Sequence, residues 1–272
     1  MREILWTTFL LSAATYAIAC FLFVGQSRQS PTTPRLGPKL APGLLAGGAV
    51  LQLTYLVLSA VSDARCPVFS LHSALGFLSL VGVVTYAVLS RRRRLEAIGG
   101  FVAACAVLFM LAARLIAEPS PEPNNPWLMA IHITANLLGG GILLIAGCAS
   151  AFYLWNEHRL KSRRLLGQGP KLPPLEALDG VVHRLLWIGL PLLTVGVLTG
   201  RLVQQTQRIT PGGEVRAILS TASWLLLLGV LVLRQTASWR GRRPAYATLG
   251  GAIGIFVVIA LYVVRALLAE GL

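Results

Sequence analysis

Long apolar runs broken by short polar or proline-bearing stretches set the character of this chain. Eight runs approach or exceed the roughly 20 mostly apolar residues that a helix needs to cross a bilayer. They lie at about 4–25, 41–61, 67–90, 95–117, 127–155, 180–203, 216–235 and 245–268. Segments such as SRQSPTTPRLGPK and AEPSPEPNNP separate several of them, where proline and polar residues stop a helix. No sequence repeat is visible. The backbone of a chain in lipid must satisfy its own hydrogen bonds, which favours helices. The pattern therefore predicts an all-α polytopic membrane protein: one bundle of about eight transmembrane helices, a single integral-membrane domain over residues 1–272.

Composition agrees. Of 272 residues, 55% are hydrophobic and 12% charged, and the mean hydropathy is +0.70. A soluble protein of this size could not cover its surface with so few charges. The formal net charge of +14 would suggest nucleic acid in a soluble protein. Here the basic residues fall in short loops between apolar runs, so they report topology and no nucleic-acid partner is expected. Arg28, Arg35 and Lys39 follow span 1, and Arg91 to Arg94 follow span 3. Arg159, Lys161, Arg163, Arg164 and Lys171 follow span 5, and Arg234, Arg240, Arg242 and Arg243 surround the end of span 7. The alternate loops are poorer, with Arg65, Arg114 and Arg208, and the loop after span 4 carries Glu118 and Glu122. The positive-inside rule then places both termini outside in a multi-pass protein.

Several smaller features fit this frame. AIAC at 17–20 faintly resembles a lipoprotein cleavage site, but the apolar run continues through Val24 and reads as a retained first helix. Trp6, Trp127, Trp155 and Trp239 lie near span ends, as in an interfacial belt. Cys20, Cys66, Cys105 and Cys148 form no CxxC or zinc spacing and read as packing residues. The 156–179 stretch is too short for a domain, which needs about 40 residues or more, and is expected to be a cytoplasmic connector. Glycines at 47–48, 99–100, 139–141 and in GGAIG at 250–254 suit close helix packing, or room for a flat ligand.

The chemistry rests on histidines. On this topology spans 3 and 5 both enter from outside, and His72 and His132 each lie about five residues in. At 1.5 Å per residue both rings would be roughly 7–8 Å below the outer rim. One reading is a neutral imidazole hydrogen-bonded to a neighbouring helix. The other follows from the matched depth: two imidazoles on facing helices ligate one haem iron. No carboxylate lies near that depth in spans 3 or 5, which argues against a proton pump or a zinc hydrolase. Arg114, Arg201 and Arg265, at outer helix ends, either meet haem propionates or snorkel to the headgroups. His158 and His183 fall at the cytoplasmic ends of spans 5 and 6. Asp179 and His183 are four apart and share a face, either orienting a ligand or forming a polar pair at the membrane edge.

Four segments resemble the cytochrome c assembly family, which includes the CcsA/ResC haem-handling proteins and the shorter HemX-like inner-membrane proteins. They are SLHSALGFLSLVGVVTYAVLSRRRRLEAIGGFV, NPWLMAIHITANLLGGGILLIAGCASAFYLWNEHRLKSRR, LPPLEALDGVVHRLLWIGLPLLTVGVLTGRL, and ASWLLLLGVLVLRQTASWRGRRPAYATLGGAIGIFVVIALYVV. The likeness covers about residues 65–268 and is most specific at WLMxxH, LPPLExLD and WRGRR. It implies a membrane protein that binds or moves haem towards the outer face for attachment to apocytochrome c. His132 matches the family histidine at the outer end of its span, whereas the family gives His72 no role. The tryptophan-rich WWD segment of CcsA-type members is missing: GRLVQQTQRITPGGEVRAIL holds no tryptophan, and no histidine follows His183. The short HemX-like branch fits best.

The expectation is therefore a haem-binding membrane protein, not an enzyme, that handles haem b at the outer face. Iron would be held through His132 and His72, with His183, Arg114 and Arg201 as further candidates. No Ser/His/Asp arrangement, phosphate loop or zinc motif is visible. Partners would be the lipid bilayer and other cytochrome c maturation or haem-biosynthesis proteins. The alternatives are a structural or regulatory subunit linked to haem biosynthesis without bound haem, and a small transporter. Topology is checked by cysteine labelling of intact cells. A cysteine at Glu122 should label from outside and one at Gln168 should not; the reverse pattern would invert the bundle.

Overall fold

The structure, a computed structural model, describes residues 2–28, 40–63, 70–91, 96–115, 125–161, 174–206 and 213–270. Every regular element among them is a helix: α1 (Arg2–Arg28), α2 (Leu40–Asp63), α3 (Leu71–Ser90), α4 (Glu96–Arg114), α5 (Pro126–Lys161), α6 (Leu175–Thr206), α7 (Gly213–Thr236) and α8 (Arg242–Glu270). Each expected span coincides with one helix. Seven are long and apolar enough to cross a membrane, and the apolar part of α4, Ile98–Arg114, is shorter. It still accompanies α3 in antiparallel register along most of its length. Gly99 lies against Tyr86, the Ala106 carbonyl accepts from Ser79 Oγ at 3.3 Å, and the Ala113 carbonyl meets His72.

The connector expected at 156–179 is shorter than drawn, because α5 continues to Lys161 and α6 begins at Leu175. A Glu157–Lys161 pair at 2.6 Å one turn apart supports that extra helix. The residues named above in the remaining loops (Arg35, Lys39, Arg65, Cys66, Arg92, Arg93, Arg94, Glu118, Glu122, Arg163, Arg164, Gln168, Lys171 and Arg208) lie outside the described residues.

The helices form two groups of four. In the first, α1 packs on α2 and α4, and α3 closes the ring by packing on the same two. In the second, α5 packs on α6 and α8, and α7 closes that ring in the same way. Contacts of α3 and α4 with α5 join the groups. The same connection order thus occurs twice, a repeat in topology that the residues do not display.

Helix ends have local causes. The Asn125 side chain accepts from the Leu128 backbone N–H at 3.3 Å, and Pro126 occupies the first helical position of α5. Ser70 caps α3 by accepting from Ser73 N–H at 3.1 Å. Residues 237–241 reverse the chain between α7 and α8, with Ser238 at φ 49° and Gly241 at φ 88°. That left-handed backbone suits the glycine of WRGRR, which has no Cβ to clash.

Inside the first group the polar side chains are hydrogen-bonded, as a bilayer interior requires. Tyr16 OH donates to Gln52 Oε1 at 2.7 Å, and Gln52 Nε2 donates to the Gly76 carbonyl at 2.9 Å. Ser12 Oγ donates to the Gly48 carbonyl at 3.0 Å. In the second group the tightest seam is α5 against α6. A Cβ on Gly139 would lie 2.5 Å from the backbone nitrogen of Leu193. No rotamer relieves that clash, because the obstacle is main chain. Gly140, one residue on, has only ordinary van der Waals room to fill, with Ile255 Cγ2 at 3.5 Å. Gly139→Ala should therefore destabilise by roughly 1–3 kcal/mol. Gly140→Ala should be neutral or stabilising, since alanine favours helix by about 1 kcal/mol. Thermal unfolding in detergent of the two variants checks this; equal melting temperatures would disprove the close seam.

Candidate functional site

His132 lies on α5 where that helix runs against the Gly196–Gly200 step of α6. Its Nδ1 is 2.8 Å from the Gly196 carbonyl oxygen. A carbonyl only accepts, so Nδ1 carries the proton and the lone pair resides on Nε2. Gly200 seats the ring: a Cβ there would be 2.7 Å from His132 Cε1. One turn along α5, Asn136 Nδ2 donates back to the His132 carbonyl at 2.7 Å and fills the notch at Gly196. Thr199 Oγ1 lies 3.4 Å from Nδ1 while donating to the Val195 carbonyl at 2.7 Å. All these groups engage the Nδ1 side or the backbone; none given among the described residues engages Nε2.

His72 has the opposite environment. Its Nδ1 lies 2.7 Å from the Ala113 carbonyl and its Nε2 lies 2.6 Å from Tyr55 OH. Nδ1–H donates to the carbonyl, so Nε2 accepts from the phenol. Both nitrogens are committed to α2 and α4 inside the first group. The expected depth match is close, because α3 and α5 run parallel with Gly141 against Leu78 and Val81, and Gly82 against Ile145. That register puts the two histidines within one helical turn of the same level. Their directions differ: His72 turns to α2 and α4, His132 to α6. As placed, His72 engages both ring nitrogens with protein groups, whereas His132 engages Nδ1.

The remaining candidates separate in the same way. Arg114 belongs to the first group, where its guanidinium carbon lies 3.6 Å from the centre of the Trp6 ring, a cation–π contact. Arg201 adjoins Gly200, is exposed, and donates to Thr221 Oγ1 at 3.3 Å. Arg265 is exposed on α8 near the same level. His183 is half-buried near the other end of the bundle, edge-on to Trp187 with ring centres 6.4 Å apart. Asp179 pairs with α7, Arg234 Nη2 donating to its Oδ1 at 2.7 Å, and its charge also acts on His183 one turn along α6. His158 is exposed on the last turn of α5.

Two residues escaped the sequence reading. Asn136 was detectable as a polar residue four positions after His132 in an apolar run, and so on the same helix face. Arg216 was detectable as a charge three residues into α7. It is 7% exposed, with its guanidinium carbon 4.5 Å above the Tyr262 ring of α8.

Comparison with known proteins places the chain. No solved structure matches it. Cytochrome c biogenesis protein CcsA of Guillardia theta is 26% identical over 237 residues, 78% of this chain and 77% of that protein. Protein HemX of Brevibacillus brevis is 28% identical over 206 residues, 74% of each chain. Inner membrane protein YpjD of Escherichia coli strain K12 is 27% identical over 125 residues, 46% of this chain and 47% of that one. The family model described as cytochrome C assembly protein matches residues 68–271, a stretch that runs from just before α3 through α8 and includes the whole α5–α6 seam. This multi-pass membrane chain belongs to the cytochrome c assembly protein family.

Proposed function

We propose that this protein binds haem b and passes it on during cytochrome c assembly, at the outer face of a bacterial inner membrane. The observation that carries the reading is the 2.8 Å contact between His132 Nδ1 and the Gly196 carbonyl oxygen. With Nδ1–H given to Gly196, Nε2 presents a lone pair at a defined ring orientation, as ligating imidazoles do. Bound haem would supply an iron atom to accept that lone pair. The chain supplies the donor, holds the ring against Gly200, and limits its rotation with Asn136 beneath.

In this reading His132 is the one imidazole that would hold the metal. His72 serves the fold, joining α2, α3 and α4 through Tyr55 and Ala113. Such a role is one of binding and hand-over rather than turnover, with a cytochrome c maturation or haem-biosynthesis protein as the receiving partner. The outward placement of the site rests on the basic loops, and the relatives named for cytochrome c biogenesis support the biological setting.

Absorption spectra of protein purified from haem-replete cells test this. Wild type should show a Soret band, with the positions of a five-coordinate, high-spin centre. His132→Ala should lose most of it. Gly200→Ala should weaken it, because the new methyl group displaces the ring. His72→Phe should keep the band and instead lower thermal stability by about 1–3 kcal/mol, as it strips the partners from Tyr55 OH and the Ala113 carbonyl. No Soret band in wild type, or a low-spin spectrum that disappears with His72, would overturn the one-histidine site.

A further inference from the structure

The arginines near the His132 end of the bundle divide into two kinds. Arg114, Arg201 and Arg265 are exposed, as expected for long side chains that reach the membrane surface. Arg216 is buried, 7% exposed, with its guanidinium carbon 4.5 Å from the centre of the Tyr262 ring. A charge that faces the interior of a membrane bundle marks a functional position by default.

Helix register places it beside the candidate site. On α6, Gly196 and Gly200 meet His132. Between α6 and α7, Thr194 accepts from Trp224 Nε1 at 2.8 Å and Arg201 meets Thr221, so Gly200 on α6 falls opposite the stretch of α7 that follows Arg216, about one turn away. Between α5 and α8, Gly140 meets Ile255 and Gly147 meets Ala252, so the His132 level falls near Arg265 on α8, one turn from Tyr262. Between α7 and α8, Ser223 meets Gly254 and Arg216 meets Tyr262. His132, Gly200, Arg216 and Tyr262 thus lie within roughly one to two turns of one level of the same four-helix group, each on a different helix.

We infer that Arg216 is the anion anchor of the His132 site. This rests on the haem reading above. The ligand it implies is a metal porphyrin whose edge carboxylates are ionised: His132 takes the metal and Arg216 takes a carboxylate. A guanidinium suits that role because its planar fork matches a carboxylate and stays charged at every relevant pH. Tyr262 lies against it in a cation–π contact. The two groups stand on α5 and α7, which each pack on α6 and α8, so donor and anchor would come from different helices. The anchor selects the acid form of the ligand over neutral analogues of the same shape.

The test is titration of the purified full-length protein in detergent with haem b and with its dimethyl ester, followed by absorbance. Wild type should bind the free acid at least about tenfold more tightly than the ester, the worth of one charge-assisted hydrogen bond. Arg216→Met should reduce that preference to near unity, with ester affinity and the His132-dependent band positions unchanged. Arg216→Lys should restore part of it, and the exposed Arg201→Met should retain all of it. Unchanged ester binding certifies that each variant is folded. A wild type that binds acid and ester equally overturns the anchor while leaving His132 ligation intact. A preference that survives Arg216→Met, or that vanishes with Arg201→Met instead, does the same. A wild type that binds neither form removes the haem reading and the anchor with it.

Discussion

The closeness of α5 and α6 governs what the second half of the molecule can do. Lipid tails are as apolar as leucine, so helices in a bilayer gain little by hiding apolar surface from each other and instead rely on tight packing and hydrogen bonds. Along this seam Gly139, Gly189, Gly196 and Gly200 remove the side chains that would hold the helices apart. The approach is close enough for the His132 ring to reach a backbone carbonyl of α6, at 2.8 Å. A wider seam would leave the ring free to turn over and exchange its two nitrogens. The same packing that holds α5 to α6 therefore selects the tautomer and aims the donor.

The two four-helix groups share a connection order but use their polar residues differently. In the first, Tyr16, Gln52 and Ser12 bond to one another or to backbone carbonyls, and His72 is closed off by Tyr55 and Ala113. A network that satisfies itself in a low-dielectric interior is stiff and makes no demand on a ligand. In the second group a histidine retains one nitrogen without a protein partner among the described residues, and an arginine is buried near the same level. The first group reads as the brace and the second as the working half. The Asp179–Arg234 pair ties α6 to α7 at the far end of that half, with the Arg234 side chain 4% exposed.

What was legible in the sequence follows the physics of each signal. Hydropathy is a one-dimensional quantity, and all eight runs appear as helices, with errors confined to ends such as the extension of α5 to Lys161. Depth is also nearly one-dimensional, so counting residues from a span end placed His72 and His132 close to one level. Azimuth is different. Each residue turns a helix by about 100°, and hydropathy says little about which neighbour a face will meet in an all-apolar environment. Counting therefore could not separate a histidine closed by Tyr55 from one open at Nε2, nor an arginine stacked on Trp6 from one buried on Tyr262. The glycines carried partial information. The runs at 47–48, 99–100, 139–141 and 250–254 all contain close contacts, although Gly47 itself faces open space while Gly48 abuts Thr15 and Tyr16. The spaced pair Gly196–Gly200, which matters most for the candidate site, does not form a run and so attracts no attention by eye.

The number of donors bears on the kind of role proposed. A metal held by two protein imidazoles inside a bundle is coordinatively complete, and a second protein gains access only by displacing one of them. A metal held by one imidazole near a membrane face keeps a coordination position for an incoming ligand. Specificity must then come from elsewhere in the cargo, and a buried arginine on α7 serves that need without closing the metal. On this reading the single histidine is not a depleted version of a paired site. Under the proposed function it would leave a position open for transfer, with Arg216 supplying selectivity at the edge of the ligand.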